Sequence, residues 1–232
     1  MSDIQTLETE LNILNKIDVP IGESSGPEPL GWKDRAVSLP LVQHWSGSSP
    51  QEEAHTYIGY NDSGLRCYVW MKEDSPFNLG SRNNEKLFLM GSVIEFFVQP
   101  TEGSFYWEIH LSPNSHHMDL LLPEPGLIKG AANIWDQLIA PDSGTSYQIQ
   151  CQNDNWTADV CIPWEAFKLQ QPPVGKSWKI AVCRYNYQKP DMPEWDAQTG
   201  LPKLGTPEYS STALLSRLDY HRVEEYHNLT FR

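Results

Sequence analysis

The sequence predicts an all-β fold: an antiparallel β-sandwich, immunoglobulin-like or jelly-roll-like, preceded by a short N-terminal helix. Three observations predict it. Short runs rich in aromatic and β-branched residues recur along the chain, as strands require. Eighteen prolines and fifteen glycines punctuate those runs, and many short strands separated by such turns are the pattern of a sandwich. Helical periodicity is confined to two short stretches.

Ser2-Asp-Ile-Gln5 has the form of a capping box, and Ile4, Leu7, Leu11 and Leu14 recur at helical spacing. This predicts an amphipathic helix over the first fifteen residues, whose apolar stripe offers a docking face for the domain or for a protein partner. Gly22 to Pro29 is a loop, and Trp32 to Gln43 is a turn with an edge strand. His55 to Tyr60 and Leu65 to Met71 form a hairpin across Asn61-Asp-Ser-Gly64. A long loop runs from Lys72 to Lys86, and a second irregular stretch from Pro113 to Ser143, in which only Asn133 to Ile139 has helical character. Tyr147 to Cys151 and Trp156 to Ile162 make a further hairpin, followed by one proline-initiated helical turn, Pro163 to Phe167. Trp178 to Tyr185 is a strand, the loop Lys189 to Thr206 carries Trp195, and Asn228 to Phe231 closes the domain. No linker interrupts this order, so the division is an N-terminal helix and loop over residues 1–30 and one sandwich over 31–232.

Ser92 to Leu111 is the stretch around which the rest is organised. It reads as two strands joined at Pro100-Thr-Glu-Gly103. Matching apolar residues sets Val98 against Phe105, Phe96 against Trp107 and Ile94 against Ile109, which makes one core-directed face. The other face then opposes Phe97 to Tyr106 and Glu95 to Glu108. Directly opposed residues have Cβ atoms about 5 Å apart. Two ionised carboxylates so placed require a cation between them, a shared proton or screening water. Arg184, at the end of its strand, is one candidate for that cation, since a bidentate guanidinium would neutralise both.

The formal net charge of −13 and the absence of a Lys/Arg cluster argue against nucleic acid or an anionic membrane as partner. No apolar run approaches the roughly 20 residues needed to span a bilayer. The opening Met-Ser-Asp lacks the basic and apolar regions of a secretory signal, which leaves a cytoplasmic chain or a mature form restarted at a new Met. Cys67, Cys151, Cys161 and Cys183 show no CxxC spacing. The hairpin pairing points Cys151 and Cys161 to opposite faces, so all four are expected as buried free thiols. No phosphate loop, Gly-x-Ser-x-Gly elbow or His-Glu-x-x-His motif occurs.

Several pieces in order resemble a known family: Gly31-Trp32, Asn61 to Leu65 before an aromatic strand, Val93 to Phe97, Tyr106-Trp-Glu108, Trp156 to Pro163, Arg184-Tyr185 and Tyr220 to Phe231. The chain from about Trp32 onward resembles the family 9 carbohydrate-binding modules and their DOMON-like relatives. The resemblance implies a β-sandwich that clamps a saccharide between two tryptophans on a concave face, often with structural calcium, in a secreted or periplasmic protein. Carried over, the acidic-strand glutamate is Glu95 and the C-terminal aromatic position is Tyr220. The other clamp position falls near Phe88 or Leu89, where no tryptophan stands.

A sugar's apolar face stacks on aromatic rings while its hydroxyls take carboxylate, amide or guanidinium partners. The candidate ligand-binding residues are therefore Glu95, Tyr106, Glu108, Arg184, Trp195 and Tyr220, and the reading is a non-catalytic saccharide-binding domain, accessory to glycan degradation. The competing reading is a structural or partner-binding sandwich that lost the clamp, with most of the nine tryptophans filling the core. A third is a retaining glycoside hydrolase, since cross-strand opposition delivers carboxyl groups about 5–5.5 Å apart. His110 and His116-His-Met-Asp119 offer metal ligands close together, and the DOMON-like resemblance implies a haem site with Met and His axial ligands, against a solvated histidine loop. Asp119, Asp136 and Asp142 are oxygen donors for calcium.

Overall fold

The computed structural model describes residues 13–43, 45–101, 103–127, 135–139 and 142–232. The predicted N-terminal helix lies outside these residues except at its end. There Ile13–Leu14 is a short strand, not helix, with Leu14 fully buried in the main core.

The described strands form two sheets. The smaller contains, in order, β2 (Val37–Pro40), β4 (Ala54–Tyr60), β5 (Gly64–Lys72), β10 (Asn155–Pro163) and β9 (Ser146–Cys151). The larger contains β1 (Ile13–Leu14), β13 (His227–Phe231), β11 (Ser177–Asn186), β6 (Val93–Gln99), β7 (Tyr106–Leu111) and β8 (His117–Leu122). Beyond β13, β12 (Glu208–Ser211) takes the place beside β11 and pairs in turn with β3 (Val42–Gln43). Among the described residues the only α-helical turn is Trp135–Leu138, and no helix is long and apolar enough to cross a membrane.

Alternation explains the packing. Ile94, Phe96 and Val98 of β6 share one buried cluster with Cys67, Val69 and Met71 of β5 and with Trp156, Ala158 and Val160 of β10. At one end of this core the Trp178 ring lies 4.5 Å from Phe167 and 5.0 Å from Phe231, tilted and edge-on. Such pairs contribute about 0.5–1.5 kcal/mol beyond their buried area. The turn Asn61 to Gly64 forms as predicted, with the Asn61 side-chain oxygen accepting from the Ser63 and Gly64 amides. A side chain at Gly64 would meet the Ile162 carbonyl oxygen at 2.2 Å, so only glycine lets β10 approach there.

The larger sheet is buried on both faces. Phe97, Tyr106, Met118, Leu120, Ala181 and Cys183 form a second cluster beneath Leu87, Tyr220, Val223 and Tyr226. Parallel sheets are usually the ones covered on both sides; here a sheet that is antiparallel except for the parallel pair β1 and β13 is covered by irregular chain. That cover was not expected from the alternation of β6 and β7.

The structure corrects three further expectations. β6 pairs with β7 two residues out of the apolar match: Val98 faces Trp107, Phe96 faces Ile109, and Glu95 faces His110 instead of Glu108. A shift of two leaves every residue on its expected face, so periodicity cannot detect it. His117 to Asp119 lie on β8, not in a loop. Cys67, Cys161 and Cys183 are buried free thiols, but Cys151 is exposed.

Candidate functional site

Glu95, Glu108 and His110 share the outer face of β6 and β7 and are all buried. The His110 Nε2 lies 2.6 Å from Glu108 Oε1, and its Nδ1 lies 3.3 Å from Glu95 Oε1, an ion-pair contact without hydrogen-bond alignment. The imidazole therefore sits between the two carboxyl groups. Burial, reinforced by the Glu108 charge and opposed by His110, pushes the Glu95 carboxyl up to about 8. Burial alone would lower His110, yet the Glu95 charge and the Glu108 hydrogen bond outweigh it and the net direction is up. Both shifts reduce the net negative charge that this buried cluster carries, as burial favours.

This overturns two readings of the glutamates. Arg184 does not bridge them: it stands opposite Ile94, on the inner face. The space between the carboxyl groups, which a glycosidase gives to the scissile bond, is taken by the His110 ring. The His110 imidazole is what stands between the two carboxyl groups, and register alone hid it from the sequence.

The predicted aromatic positions are also covered. Tyr106 is buried, with its hydroxyl 2.9 Å from His221 Nδ1. Tyr220 is 5% exposed, its hydroxyl lying 2.9 and 3.0 Å from the Arg184 and Ser210 carbonyl oxygens. No stacking face is left on either ring. Trp195 is half exposed on its own loop, where it bridges Pro202. Of the tryptophans, Trp32, Trp107, Trp156, Trp164 and Trp178 are buried.

Arg184 leads to a different place. Its guanidinium donates to the Glu52 carbonyl at 3.1 Å and the Lys72 carbonyl at 2.6 Å, and pairs with Glu73 at 3.1 Å. Burial pushes the Glu73 carboxyl up against the opposing pull of Arg184. These bonds anchor two loops at the end of β11, and between them lies a cleft of about 1260 Å³. Asn186, Glu52, Asp74, Glu208, Trp45 and Tyr209 are among its lining residues. The Asn186 amide donates to Glu52 Oε2 at 2.9 Å, while Glu52 Oε1 and Glu208 Oε1 accept the Asp74 and Gln51 amides. Carboxylates, amides and partly exposed rings converge here from segments far apart in sequence, including Trp45, which is 54% exposed. Sequence reasoning missed this cleft, because Trp45 and the Lys189 to Thr206 loop carried no signal that they meet.

One more group stands at the sandwich edge. His117, Asp119 and Asp142 each offer a ligand atom within 4.8 Å of the others. Calcium, implied by the resemblance, takes six to eight oxygen ligands. Among the described residues this group offers two carboxylates and an imidazole, which does not fit calcium.

No family model matches the sequence, and no curated protein matches it. Solved structures do match in fold. A candidate carbohydrate-binding protein from Bacteroides uniformis aligns with TM-score 0.59 at 17% identity, over 84% of this chain and 86% of that one. A family 9 carbohydrate-binding module from Caldicellulosiruptor kristjanssonii, in complex with glucose, aligns with TM-score 0.57 at 8% identity over 95% and 94%. The cellotriose complex of a family 9 module from that organism gives TM-score 0.57 at 10% identity over 95% and 93%. The chain thus resembles the family 9 modules in fold.

Proposed function

We propose that the chain is a non-catalytic saccharide-binding domain whose ligand occupies the cleft beside Asn186, Glu52 and Trp45. The single observation that carries this reading is the make-up of that cleft. Planar amide and carboxylate groups suit the paired hydroxyls of a sugar ring, and an accessible indole suits its apolar face. The fold likeness to modules solved with glucose and cellotriose supports the class of ligand. The Glu95 face, where sequence alone placed the ligand, is filled by the protein's own side chains.

A second reading, a structural or partner-binding sandwich that has lost the sugar clamp, is favoured by the burial of Glu95 and Tyr220. Calorimetric titration with a panel of mono- and oligosaccharides separates the two. Saturable heat with one sugar class, weakened roughly tenfold in Trp45→Ala and retained in Glu95→Gln, supports the cleft. Absence of heat across the panel from well-folded protein leaves the scaffold reading for the sugars tried.

A further inference from the structure

His117 and Asp119 break the pattern of their strand. β8 is the edge of the larger sheet, and paired residues point to the same side. Asp119 pairs with Ile109 and His117 with Leu111, both members of the inter-sheet core. The apolar residues Met118, Leu120 and Leu122 instead fill the outer cluster. Two polar side chains thus face the inside of the sandwich at its open edge, where the sequence Ser143 to Ser146 leads into β9 of the other sheet. A buried polar atom without a hydrogen-bond partner calls for an explanation, of which a bound ion is one.

Each side chain is held with one donor atom left over. Asp119 is 1% exposed; its Oδ2 accepts the Ser143 amide at 2.8 Å, and its buried Oδ1 has no partner. Asp142 Oδ1 accepts the Gly144 amide at 2.8 Å, leaving its second oxygen. The Tyr147 hydroxyl donates to the Ser115 carbonyl at 3.2 Å, so it can only accept from His117 Nδ1, 3.1 Å away. A proton donated from Nδ1 to that hydroxyl leaves the lone pair on Nε2, the arrangement that outer-shell partners impose on metal-binding histidines.

We propose that His117, Asp119 and Asp142 bind a divalent transition-metal ion of the zinc class. The site bridges β8 of one sheet to the segment entering β9 of the other, so the ion clips the edge at which the two sheets lie open. One imidazole and two carboxylates suit zinc in bond type, and three protein ligands leave a position for water. The imidazole distinguishes such an ion from calcium.

The test uses the full chain, stripped with a chelator and titrated with zinc chloride and, in parallel, calcium chloride. The expected result is one zinc per chain, no calcium binding at matched concentration, and a Tm rise on the order of 5 °C at a hundredfold excess over Kd. Cobalt should give the visible absorption of a site with a nitrogen ligand. Asp119→Asn and His117→Ala should abolish binding, and Tyr147→Phe, which leaves the core intact, should weaken it roughly tenfold. No saturable zinc binding by the folded wild type would overturn the proposal. So would calcium binding that His117→Ala leaves unchanged, or zinc binding indifferent to all three substitutions.

Discussion

His110 stands directly opposite Glu95 across β6 and β7, and its ring separates that carboxyl from Glu108 two residues away on its own strand. Two carboxyl groups and an imidazole thus make one buried unit inside a covered sheet. Its titration has a definite sign. Glu95 is raised from 4.5 to about 8 on folding, so between those values the folded chain holds a proton that the unfolded chain has released.

Stability should therefore be greatest at the acid end of that window, decline as pH rises through it, and level off above about 8. His110, also raised, acts in the same direction. The contribution of Glu95 has a slope of up to about 1.4 kcal/mol per pH unit. Urea unfolding at half-unit steps from pH 5 to 9 checks this, and Glu95→Gln should flatten the curve. A wild-type stability that is level, or rises, across the window would contradict the assignment.

Arg184→Met should destabilise by about 3–5 kcal/mol, because it leaves the buried Glu73 carboxyl without its guanidinium. The same substitution frees the Glu52 and Lys72 carbonyls that Arg184 anchors, so saccharide binding in the cleft should fall in protein that is still folded. Adding Glu73→Gln should recover part of the stability. Denaturant midpoints of the two single variants and the double variant measure the coupling.

Trp45→Ala and Asn186→Ala should each weaken saccharide binding roughly tenfold, equivalent to about 1.4 kcal/mol. Tyr220→Phe should leave affinity unchanged, since the Tyr220 ring is enclosed. Titration of the three variants with the sugar that binds the wild type distinguishes the cleft from the covered face.

Cys151 is exposed and the other three thiols are buried. Brief alkylation of native protein should modify one cysteine, located at Cys151 by peptide mass spectrometry, while unfolding in denaturant should expose all four. Burial and the Glu73 charge push the Cys151 thiol up, so the native reaction should accelerate as pH rises past 9.

The strands and their faces were legible because alternation is local. Val93 to Gln99 has apolar residues on both faces with one glutamate among them, and it lies at the centre of the larger sheet as that pattern implies. β8 was missed because its inner face carries His117 and Asp119, so its inward positions do not read as a core strand. The end of the predicted helix was lost to pairing, since Ile13 and Leu14 satisfy their backbone against β13.

The chain's own order of residues thus determined the sandwich, its hairpins, the burial of most tryptophans and the isolation of Glu95 and Glu108 on one face. Tertiary structure alone decided the register that places His110 between them, the cover that Tyr220 and Tyr226 draw over that face, and the transfer of Arg184 to the inner side. It also brought Asn186 to Glu52, 134 positions apart, and Asp142 to His117. The physical reason is range: a period of two specifies which way a side chain points, whereas a register shift of two, a loop folded over a sheet and a cleft between distant segments all preserve that period and differ only in long-range contacts.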